Sequence, residues 1–404
     1  MRHRNINMSN INWQTKKLGE IFLIERGGSP RPIQSFLTNA NDGINWIKIG
    51  DTKNITKYIY TTEEKIKPEG LKKSRLVQED DFILSNSMSF GRPYIMKTTG
   101  AIHDGWLVLR KKAKDIDNDF FYYLLLSPIL FDEFDRLAAG STVRNLNTKL
   151  VSGIFVSYPT FPEQRRIVKI LDDVFEKTAK VKENAKKNLQ NAKDLFESYL
   201  QSVFNNEKLK VKNEKWEKRT LGDIGKVSMC KRVFKEQTLT IGDIPFYKIG
   251  TFGKKPNAYI SNEIYKEFRN KFSFPKKGDI LLSASGTIGR RVRYDGEPAY
   301  FQDSNIVWID NDEKQVLNEY LYYFYGACKW NATKGATIPR LYNDNLKQIK
   351  VAFPKSLSEQ KSIVTKLDAL SAETRKLETI YQQKLADLEE LKKSVLKKAF
   401  AGEL

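Results

Sequence analysis

The segment WQTKKLGEI at residues 13–21 returns as WEKRTLGDI at residues 216–224, an offset of 203 in a chain of 404 residues. Other segments recur in the same order while the offset falls only to 195. These further pairs are Trp46–Asp51 with Phe246–Thr251, Asp81–Ser85 with Asp279–Ser283, and Glu163-Gln164 with Glu359-Gln360. A period this long exceeds the roughly 20–50 residues of solenoid repeats. The pattern indicates duplication of a whole half of the chain, and it predicts two similar working surfaces.

Both halves end in a long segment without glycine, from Pro162 to Phe204 and from Leu357 to Phe400. Apolar or small residues recur there at alternating spacings of four and three, the heptad pattern of a coiled-coil helix. The expected seam positions are Ile167, Leu171, Val174, Thr178, Val181, Ala185, Asn188, Ala192, Leu195, Tyr199 and Ser202, and then Ile363, Leu367, Leu370, Thr374, Leu377, Tyr381, Lys384, Leu388, Leu391 and Val395. Such helices need a packed apolar face, so we expect each to pair with the other, antiparallel under a pseudo-two-fold. The alternative is that each helix packs on its own globular domain.

The residues before each long helix mix short apolar runs with frequent Gly, Pro, Asn and Asp, which is typical of an α+β unit. The predicted fold class is therefore α+β, with two pseudo-symmetric α+β domains joined by two long helices packed as an antiparallel coiled coil. The predicted boundaries are a flexible tail at 1–12, α+β domains at 13–160 and 213–355, and helical spacers at 161–212 and 356–404.

The charge of the chain favours a polyanionic partner. Lys and Arg number 69 against 49 Asp and Glu, a formal net charge of +20, and such a surplus is typical of nucleic-acid binding. A lysine-rich solvated surface is the alternative. Residues 162–204 hold nine Lys and Arg against seven Asp and Glu, so most of the excess lies elsewhere and favours contact between the polyanion and the α+β domains.

Several classes of protein are disfavoured by what the sequence lacks. Cys230 and Cys328 are the only cysteines, and His3 and His103 the only histidines, which leaves no disulfide framework or Cys/His metal cluster. No apolar stretch approaches the ~20 residues of a membrane helix, and Met1–Asn12 lacks the apolar region of a signal peptide, so the simplest placement is cytoplasmic. Methyltransferase, phosphate-loop and nuclease signatures are also missing, so we expect no catalytic, cofactor or metal site.

This arrangement resembles the specificity subunits of type I restriction–modification systems, and the resemblance covers the chain from Trp13 to Leu404. Its specific signal is an ordered double set of motifs, each set followed by a long heptad helix. The residues that carry it are Trp13, Leu18 and Gly19 with Trp216, Leu221 and Gly222; Lys48-Ile49-Gly50-Asp51; Pro159, Glu163, Gln164 and Ile167 with Pro354, Glu359, Gln360 and Ile363; and Ser198, Leu200 and Phe204 with Ser394, Leu396 and Phe400.

The resemblance implies a non-catalytic subunit with two target-recognition domains, each binding one half of a split, asymmetric DNA target. The helical pair would set the gap between the half-sites and dock two modification subunits, which bind S-adenosylmethionine and methylate adenines. Restriction subunits would join to cut unmodified DNA, and this chain would bind no cofactor itself. A non-catalytic coiled-coil scaffold and a stand-alone DNA-modifying enzyme are the alternatives.

Candidate DNA-binding residues lie in loops that the repeat makes equivalent, the first being Ser85–Arg92 and Ser283–Arg290. Small polar residues follow a strand and are closed by Arg, which can bond guanine in bidentate fashion, as Asn can bond adenine. The candidates are Ser85, Asn86, Ser87 and Arg92, and Ser283, Ser285, Thr287, Arg290 and Arg291. A hairpin-like turn whose hydroxyls satisfy local backbone groups is an equally weighted alternative.

The second loop is Gly140–Leu146, matched by Gly335–Leu341. Its Gly-(Ser/Ala)-Thr pattern with a nearby Arg suits phosphate binding, and a helix cap is the alternative. The candidates in this loop are Arg144, Asn145 and Arg340.

Two further positions complete the candidate set. Lys48 and Lys248 are predicted phosphate contacts, because a flexible ammonium acts as a point charge. The pair His103-Asp104, matched by Gln302-Asp303, could face a DNA groove, although a packed turn is slightly favoured there.

Overall fold

The computed structural model describes residues 13–86, 90–138, 145–205, 214–330 and 339–404. Backbone contacts divide the chain into two compact units: unit 1, residues 1–185 with 383–404, and unit 2, residues 186–382. Each unit therefore contains one α+β region and part of each long helix. The predicted tail, 1–12, and residues 206–212 of the first spacer lie outside the described residues, and the domain boundaries stay a prediction.

In the first half of the chain, short strands precede one long helix. The strands are β1 (Gln14–Lys17), β2 (Phe22–Arg26), β3 (Leu37–Thr38), β4 (Ile44–Ile47), β5 (Tyr58–Ile59), β6 (Glu64–Ile66), β7 (Arg75–Val77), β8 (Phe82–Ser85), β9 (Pro93–Met96), β10 (Gly100–Ile102), β11 (Trp106–Lys111) and β12 (Phe155–Tyr158). The helices are α1 (Leu18–Ile21), α2 (Asn118–Leu126), α3 (Pro128–Ala138), α4 (Thr148–Ser152) and α5 (Phe161–Asn205), with 3-10 turns at Ile33–Ser35, Ile49–Thr52 and Pro68–Lys73.

The second half repeats this order. Its strands are β13 (Trp216–Thr220), β14 (Gly225–Ser228), β15 (Ile244–Tyr247), β16 (Tyr259–Ile260), β17 (Ile280–Ser283), β18 (Arg291–Arg293), β19 (Tyr300–Phe301), β20 (Ile306–Asn311) and β21 (Lys350–Pro354). Its helices are α6 (Leu221–Ile224), α7 (Asn262–Lys271), α8 (Asn318–Ala327), α9 (Asn343–Lys347) and α10 (Leu357–Phe400), with a 3-10 turn at Lys235–Gln237.

Unit 1 contains two five-stranded sheets, ordered β3-β6-β4-β10-β7 and β2-β11-β8-β9-β5. In the second sheet β8 lies antiparallel between β11 and β9, with Leu84 opposite Leu107 and Pro93. In the first sheet β10 runs parallel to β4, with Ala101 opposite Trp46. Every residue of β8 is buried, which explains its continuous apolar run, since a strand covered on both faces does not alternate.

Unit 2 retains the centre of both sheets in the orders β14-β20-β17-β18 and β16-β15-β19. Here β17 lies between β20 and β18, with Leu282 opposite Val307 and Arg291. The strand β19 runs parallel to β15, with Phe246 opposite Tyr300. The α+β region is thus duplicated in three dimensions as well as in sequence.

Each repeat begins with a Trp-Leu-Gly motif, and the strand within the motif pairs with the last strand of the same repeat. The strand β1 pairs antiparallel with β12, and β13 pairs with β21. The fully buried Leu18 and Leu221 donate backbone hydrogen bonds of 2.8 Å to carbonyls just before β12 and β21. A Cβ at Gly19 would lie 2.9 Å from the Cβ of Ser152, so only glycine fits this close approach.

The Glu-Gln motif fixes the start of each long helix. Gln164 is fully buried; its Oε1 accepts from the Asp117 backbone N–H (2.8 Å), and its Nε2 donates to the carbonyls of Asp115 (3.1 Å) and Pro159 (2.9 Å). Gln360 makes three equivalent hydrogen bonds in unit 2. One amide therefore joins the helix to the α+β region that precedes it.

The two long helices pack antiparallel. In unit 1, Leu171 near the start of α5 shares an apolar core with Phe400 at the end of α10. In unit 2, Phe204 at the end of α5 shares a core with Leu367 near the start of α10. The predicted pairing is confirmed, and each helix also contacts an α+β region, as the 5.3 Å separation of the Phe120 and Phe400 rings shows.

The seam of this coiled coil differs from the prediction by one residue at several positions, among them Tyr199, which is exposed while Leu200 is buried. The predicted residues Leu171, Thr178, Ala185 and Ala192 are buried, but Val181, Asn188, Leu195 and Ser202 are exposed, and Phe175, Lys182, Leu189, Phe196 and Val203 are half-buried instead. In α10, Leu377, Lys384 and Leu391 are exposed, whereas Glu378, Leu385 and Lys392 are half-buried. Spacings of four-then-three and three-then-four both satisfy a heptad, and packing against the partner helix selects between them.

Where the structure describes the chain, no helix combines the length and apolarity that crossing a membrane requires.

Candidate nucleic-acid interface

Two parallel strands end side by side in each unit, and candidate residues follow them. In unit 1, Lys48 follows β4 and His103 follows β10; the His103 backbone N–H donates to the carbonyl of Ile47 (3.1 Å). In unit 2, Lys248 and Gln302 follow β15 and β19, and Gln302 donates to the last carbonyl of β15 (3.0 Å). Because parallel strands share the edge at which they end, each lysine lies beside the polar pair.

The described ends of the two predicted loops of unit 1 meet at this edge. The backbone N–H of Asn86 in the first loop donates to the carbonyl of Gly105 (3.0 Å) in the turn after β10. The carbonyl of Asn86 accepts from the N–H of Leu146 (2.9 Å), at the end of the second loop. Three segments that are distant in sequence therefore form one surface.

Unit 2 repeats these bonds around Ala284. Its N–H donates to the carbonyl of Asn305 (2.7 Å), and its carbonyl accepts from the N–H of Leu341 (2.8 Å). Ser285 and Arg340 form an antiparallel backbone bridge beside them. The convergence of loops is thus a property of the fold, since the side chain at the joint differs between the units.

Ser85 and Ser283 close the turns of the first loop. Their hydroxyls accept hydrogen bonds from the backbone N–H groups of Arg92 (3.0 Å) and Arg290 (2.9 Å), and both serines are buried. Such local satisfaction of backbone groups is the role that the hairpin-turn interpretation assigns to them. This geometry favours turn closure over base contact for the two serines.

Asn86 and Ser285 also bond within their units. The Asn86 amide donates to the carbonyl of Asp104 (3.0 Å), and the Ser285 hydroxyl bonds Oδ1 of Asn305 (2.7 Å). Both side chains are buried, so they order the converging turns.

The arginines of this loop and the tip residue Thr287 are more accessible. The exposed Arg92 guanidinium lies 5.5 Å from the ring centre of Tyr94, whereas the half-buried Arg290 donates to the carbonyl of Phe252 (2.9 Å). Thr287 is exposed. Arg92 and Thr287 are therefore the accessible candidate side chains of this loop, and Arg290 is partly accessible.

Two other predicted cations are engaged within their units. Lys48 forms an ion pair with Glu64 (2.7 Å), and this hydrogen bond raises the pKa of the Lys48 ammonium. The half-buried Arg291 guanidinium lies 4.7 Å from the ring centre of Tyr322. Of the second-loop candidates, Asn145 is half-buried and Arg340 is exposed. Ser87 and Arg144 lie outside the described residues.

An Arg–Asp pair at this edge was not predicted. Arg31 lies 3.6 Å from Asp104 in unit 1, and Arg232 lies 2.8 Å from Asp303 in unit 2. Although burial opposes the shift, the Ser29 hydroxyl and the nearby cations lower the pKa of Asp104. The sequence does contain a sign of this pair, because Arg31 and Asp104 recur as Arg232 and Asp303 at nearly the same offset as the rest of the repeat.

A cleft of about 360 Å³ opens at this edge of unit 2. Four basic side chains line it: Lys248 and Arg340 were predicted from the sequence, whereas Arg232 and Lys235 were not. The polar and charged lining consists of Arg232, Lys235, Lys248, Arg340, Thr238, Gln302, Asp303, Ser304 and Asn305. Four cations against one carboxylate suit a phosphate group. In the described part of the chain, no cluster of His, Cys, Asp or Glu could hold a metal ion.

Duplicated α+β regions with converging polar loops, each followed by a long helix of an antiparallel pair, define a class of two-domain recognition subunits. The chain belongs to the family of the type I restriction modification DNA specificity domain, whose model matches residues 10–191 and 213–388. Membership confirms the predicted role as a specificity subunit, a class in which catalysis resides in partner subunits.

Relatives agree with this assignment. A putative type I restriction enzyme specificity subunit of Haemophilus influenzae is 48% identical over 67% of this chain and 68% of its own length. The MjaIX specificity subunit of Methanocaldococcus jannaschii is 24% identical over 97% of this chain and 93% of its own.

Solved structures share the fold. A chain from a study of complex assembly and conformational transition in a type I R-M system matches with a TM-score of 0.80 at 18% identity, covering 99% of this chain and 100% of the other. The HsdS subunit of Thermoanaerobacter tengcongensis matches with a TM-score of 0.61 at 17% identity over 100% of both chains.

Proposed function

We propose that the chain recognises a split, asymmetric DNA target, with each α+β region binding one half-site. The observation that carries this proposal is the convergence of the same three segments at equivalent edges of both units. A surface built of loops on a rigid sheet edge can change its side chains without changing its frame. The net charge of +20 supplies attraction to the phosphate backbone.

The two surfaces present different chemistry, which supports two different half-sites. His103 in unit 1 stands where unit 2 has Gln302. Lys48 is paired with Glu64, whereas its counterpart in unit 2 lines the basic cleft. An asymmetric target follows from such differences, because side chains at base edges select the bases.

Within this proposal, accessible arginines contact bases and the cleft contacts phosphate. Arg92 and Arg290 close equivalent turns and carry the bidentate donors that guanine recognition uses. Lys248 and Arg340 line the cleft, where their positive charges would hold a phosphate and fix the register of unit 2 on DNA.

The exposed positions beside the helix seam are proposed docking sites for modification subunits. Unit 1 exposes Val181 of α5 and Leu391 of α10, and unit 2 exposes Leu195 and Leu377. These four residues occupy equivalent positions, so the units present similar apolar pairs. Apolar side chains on a helix surface favour a further helix as partner, and two equivalent pairs favour two copies of one modification subunit. Restriction subunits would join this complex in the cytoplasm.

Co-expression with a candidate modification subunit, followed by mapping of methylated adenines, tests the proposal. We expect methylation within one motif of two defined halves separated by a constant number of unspecified bases. The variants Arg92→Ala and Arg290→Ala should each relax one half only, by about 1–3 kcal/mol of discrimination. Equal weakening on all sequences would assign that arginine to phosphate. Methylation without a split motif would favour the scaffold alternative, and methylation by the chain alone would favour the enzyme alternative.

A further inference from the structure

A large aromatic side chain is exposed next to the unit 2 cleft. The side chain of Phe234 is 57% exposed and is directly followed by the 3-10 turn Lys235–Gln237. Its neighbours in sequence, Val233 and Lys235, both line the cleft. Phe234 therefore lies between two lining residues of a basic cleft, and the exposure of its ring to water costs hydrophobic free energy.

The exposure of this ring comes from an ordered turn. The Phe234 backbone N–H donates to Oε1 of Gln237 (2.9 Å), and its carbonyl accepts from the Gln237 N–H (3.1 Å). The Thr238 hydroxyl donates to the carbonyl of Lys235 (2.7 Å). A side chain presented by such a turn is preorganised, so little conformational entropy is lost when it binds.

Unit 1 treats the corresponding segment differently. Its turn Ile33–Ser35 occupies the same place in the repeat, but Ile33, Phe36 and Leu37 pack against the core around Trp46. Unit 1 thus half-buries the apolar residues of this segment, whereas unit 2 exposes Phe234 and, less strongly, Leu239. The difference points to a contact that only the unit 2 half-site makes.

We propose that Phe234 packs on the methyl group of a thymine in the half-site bound by unit 2, while the cleft cations hold an adjacent phosphate. The inference rests on the proposed function. Four cations, Arg232, Lys235, Lys248 and Arg340, face one carboxylate in the cleft, which favours a polyanion. In the major groove the thymine methyl is the apolar feature of the base edges, and Phe is among the residues that contact it. DNA therefore offers both a phosphate for the cleft cations and an apolar methyl group for the Phe234 ring.

The test uses the complex with modification subunits and the target found by methylation mapping. Each thymine of the unit 2 half-site is replaced in turn by deoxyuridine, which removes one methyl group. We expect the wild-type complex to bind about threefold to tenfold more weakly at one such position, because burying a methyl is worth about 0.8 kcal/mol. Phe234→Ala should bind the unmodified target about tenfold more weakly and should not respond to deoxyuridine at that position.

The matched control is Phe155→Ala, which removes an aromatic side chain of unit 1 that is 63% exposed. This variant should bind like the wild type and keep its response to deoxyuridine. Wild-type affinity of Phe234→Ala overturns the inference, as does weaker binding that still responds to deoxyuridine. If the proposed function itself is wrong, the wild-type complex will show no split target, before any variant is made.

Discussion

At the scale of single residues, the buried amide of Gln164 links the α+β region of unit 1 to its helix through three hydrogen bonds. Gln164→Ala leaves two carbonyls and one N–H without the bonds they make now. We expect the free energy of unfolding to fall by about 2–4 kcal/mol, measured by urea denaturation. Gln190→Ala is the control, because that exposed amide bonds only Asp194 one turn away in the same helix. If both variants lost the same small amount of unfolding free energy, the buried amide of Gln164 would not stabilise the junction between helix and α+β region.

Asp81 and Asp279 occupy equivalent positions in the two units, but their cross-strand neighbours carry opposite charges. Asp81 pairs with Arg110 at 2.8 Å, whereas the strand register places Asp310 where Arg110 stands in unit 1. Burial, with the charge of Asp310 adding to it, raises the pKa of Asp279. The duplicated core thus holds one paired carboxylate and one whose charged form is disfavoured.

This contrast predicts a pH dependence of stability. Because the pKa of Asp279 is higher in the folded chain than its usual 3.8, the folded state retains the proton longer, and stability falls as the pH rises through the raised pKa. Asp279→Asn should remove that decline, and Asp81→Asn should lower the unfolding midpoint at neutral pH by breaking the pair with Arg110. Thermal unfolding between about pH 4 and 7 checks both. A decline that persists in Asp279→Asn would exclude this carboxyl as its source.

At the scale of the element, the seam of α5 places adjacent residues in different roles. Phe196 packs against the unit 2 core, and Leu195 is 61% exposed. Phe196→Ala should lower the free energy of unfolding by about 1.5–3 kcal/mol, and Leu195→Ala should change it by less than about 0.5 kcal/mol. Leu195→Ala should instead weaken binding of the modification subunit, measured by titration calorimetry. If Leu195→Ala lowered the free energy of unfolding more than Phe196→Ala, the seam expected from the sequence would be correct instead.

At the scale of the whole molecule, the proposed gap between half-sites depends on the lengths of both helices. Glu389 of α10 pairs with Lys182 of α5, so the antiparallel register matches residues 186–192 with residues 379–385. Removing both segments keeps the heptad phase and shortens each helix by about 10 Å. We expect the methylated motif to lose about three base pairs of spacer, at 3.4 Å each. An unchanged spacer would show that the helices do not set it, and a deletion in α5 alone is the control that breaks the register.

Long-period patterns made the duplication, the helix pair and the family predictable, because they depend on many residues each. The phase of the seam was not predictable, since Leu195 and Phe196 are both apolar and only the partner helix distinguishes them. The candidate loops were identified from the sequence, but their convergence depends on the fold and was not predicted, and their binding of DNA stays a prediction. The inward turn of Ser85 and the pairing of Lys48 with Glu64 depend on tertiary neighbours that a single sequence does not specify.

The strand pairs that open and close each repeat have an evolutionary consequence. Because β1 pairs with β12, the first and last residues of the region between these two strands lie next to each other. A region whose ends meet can be exchanged by recombination as a cassette, with the remaining structure acting as an unchanged socket. Under the proposed function, such an exchange would change one half of the recognised target in a single genetic event, without stepwise substitution of base contacts.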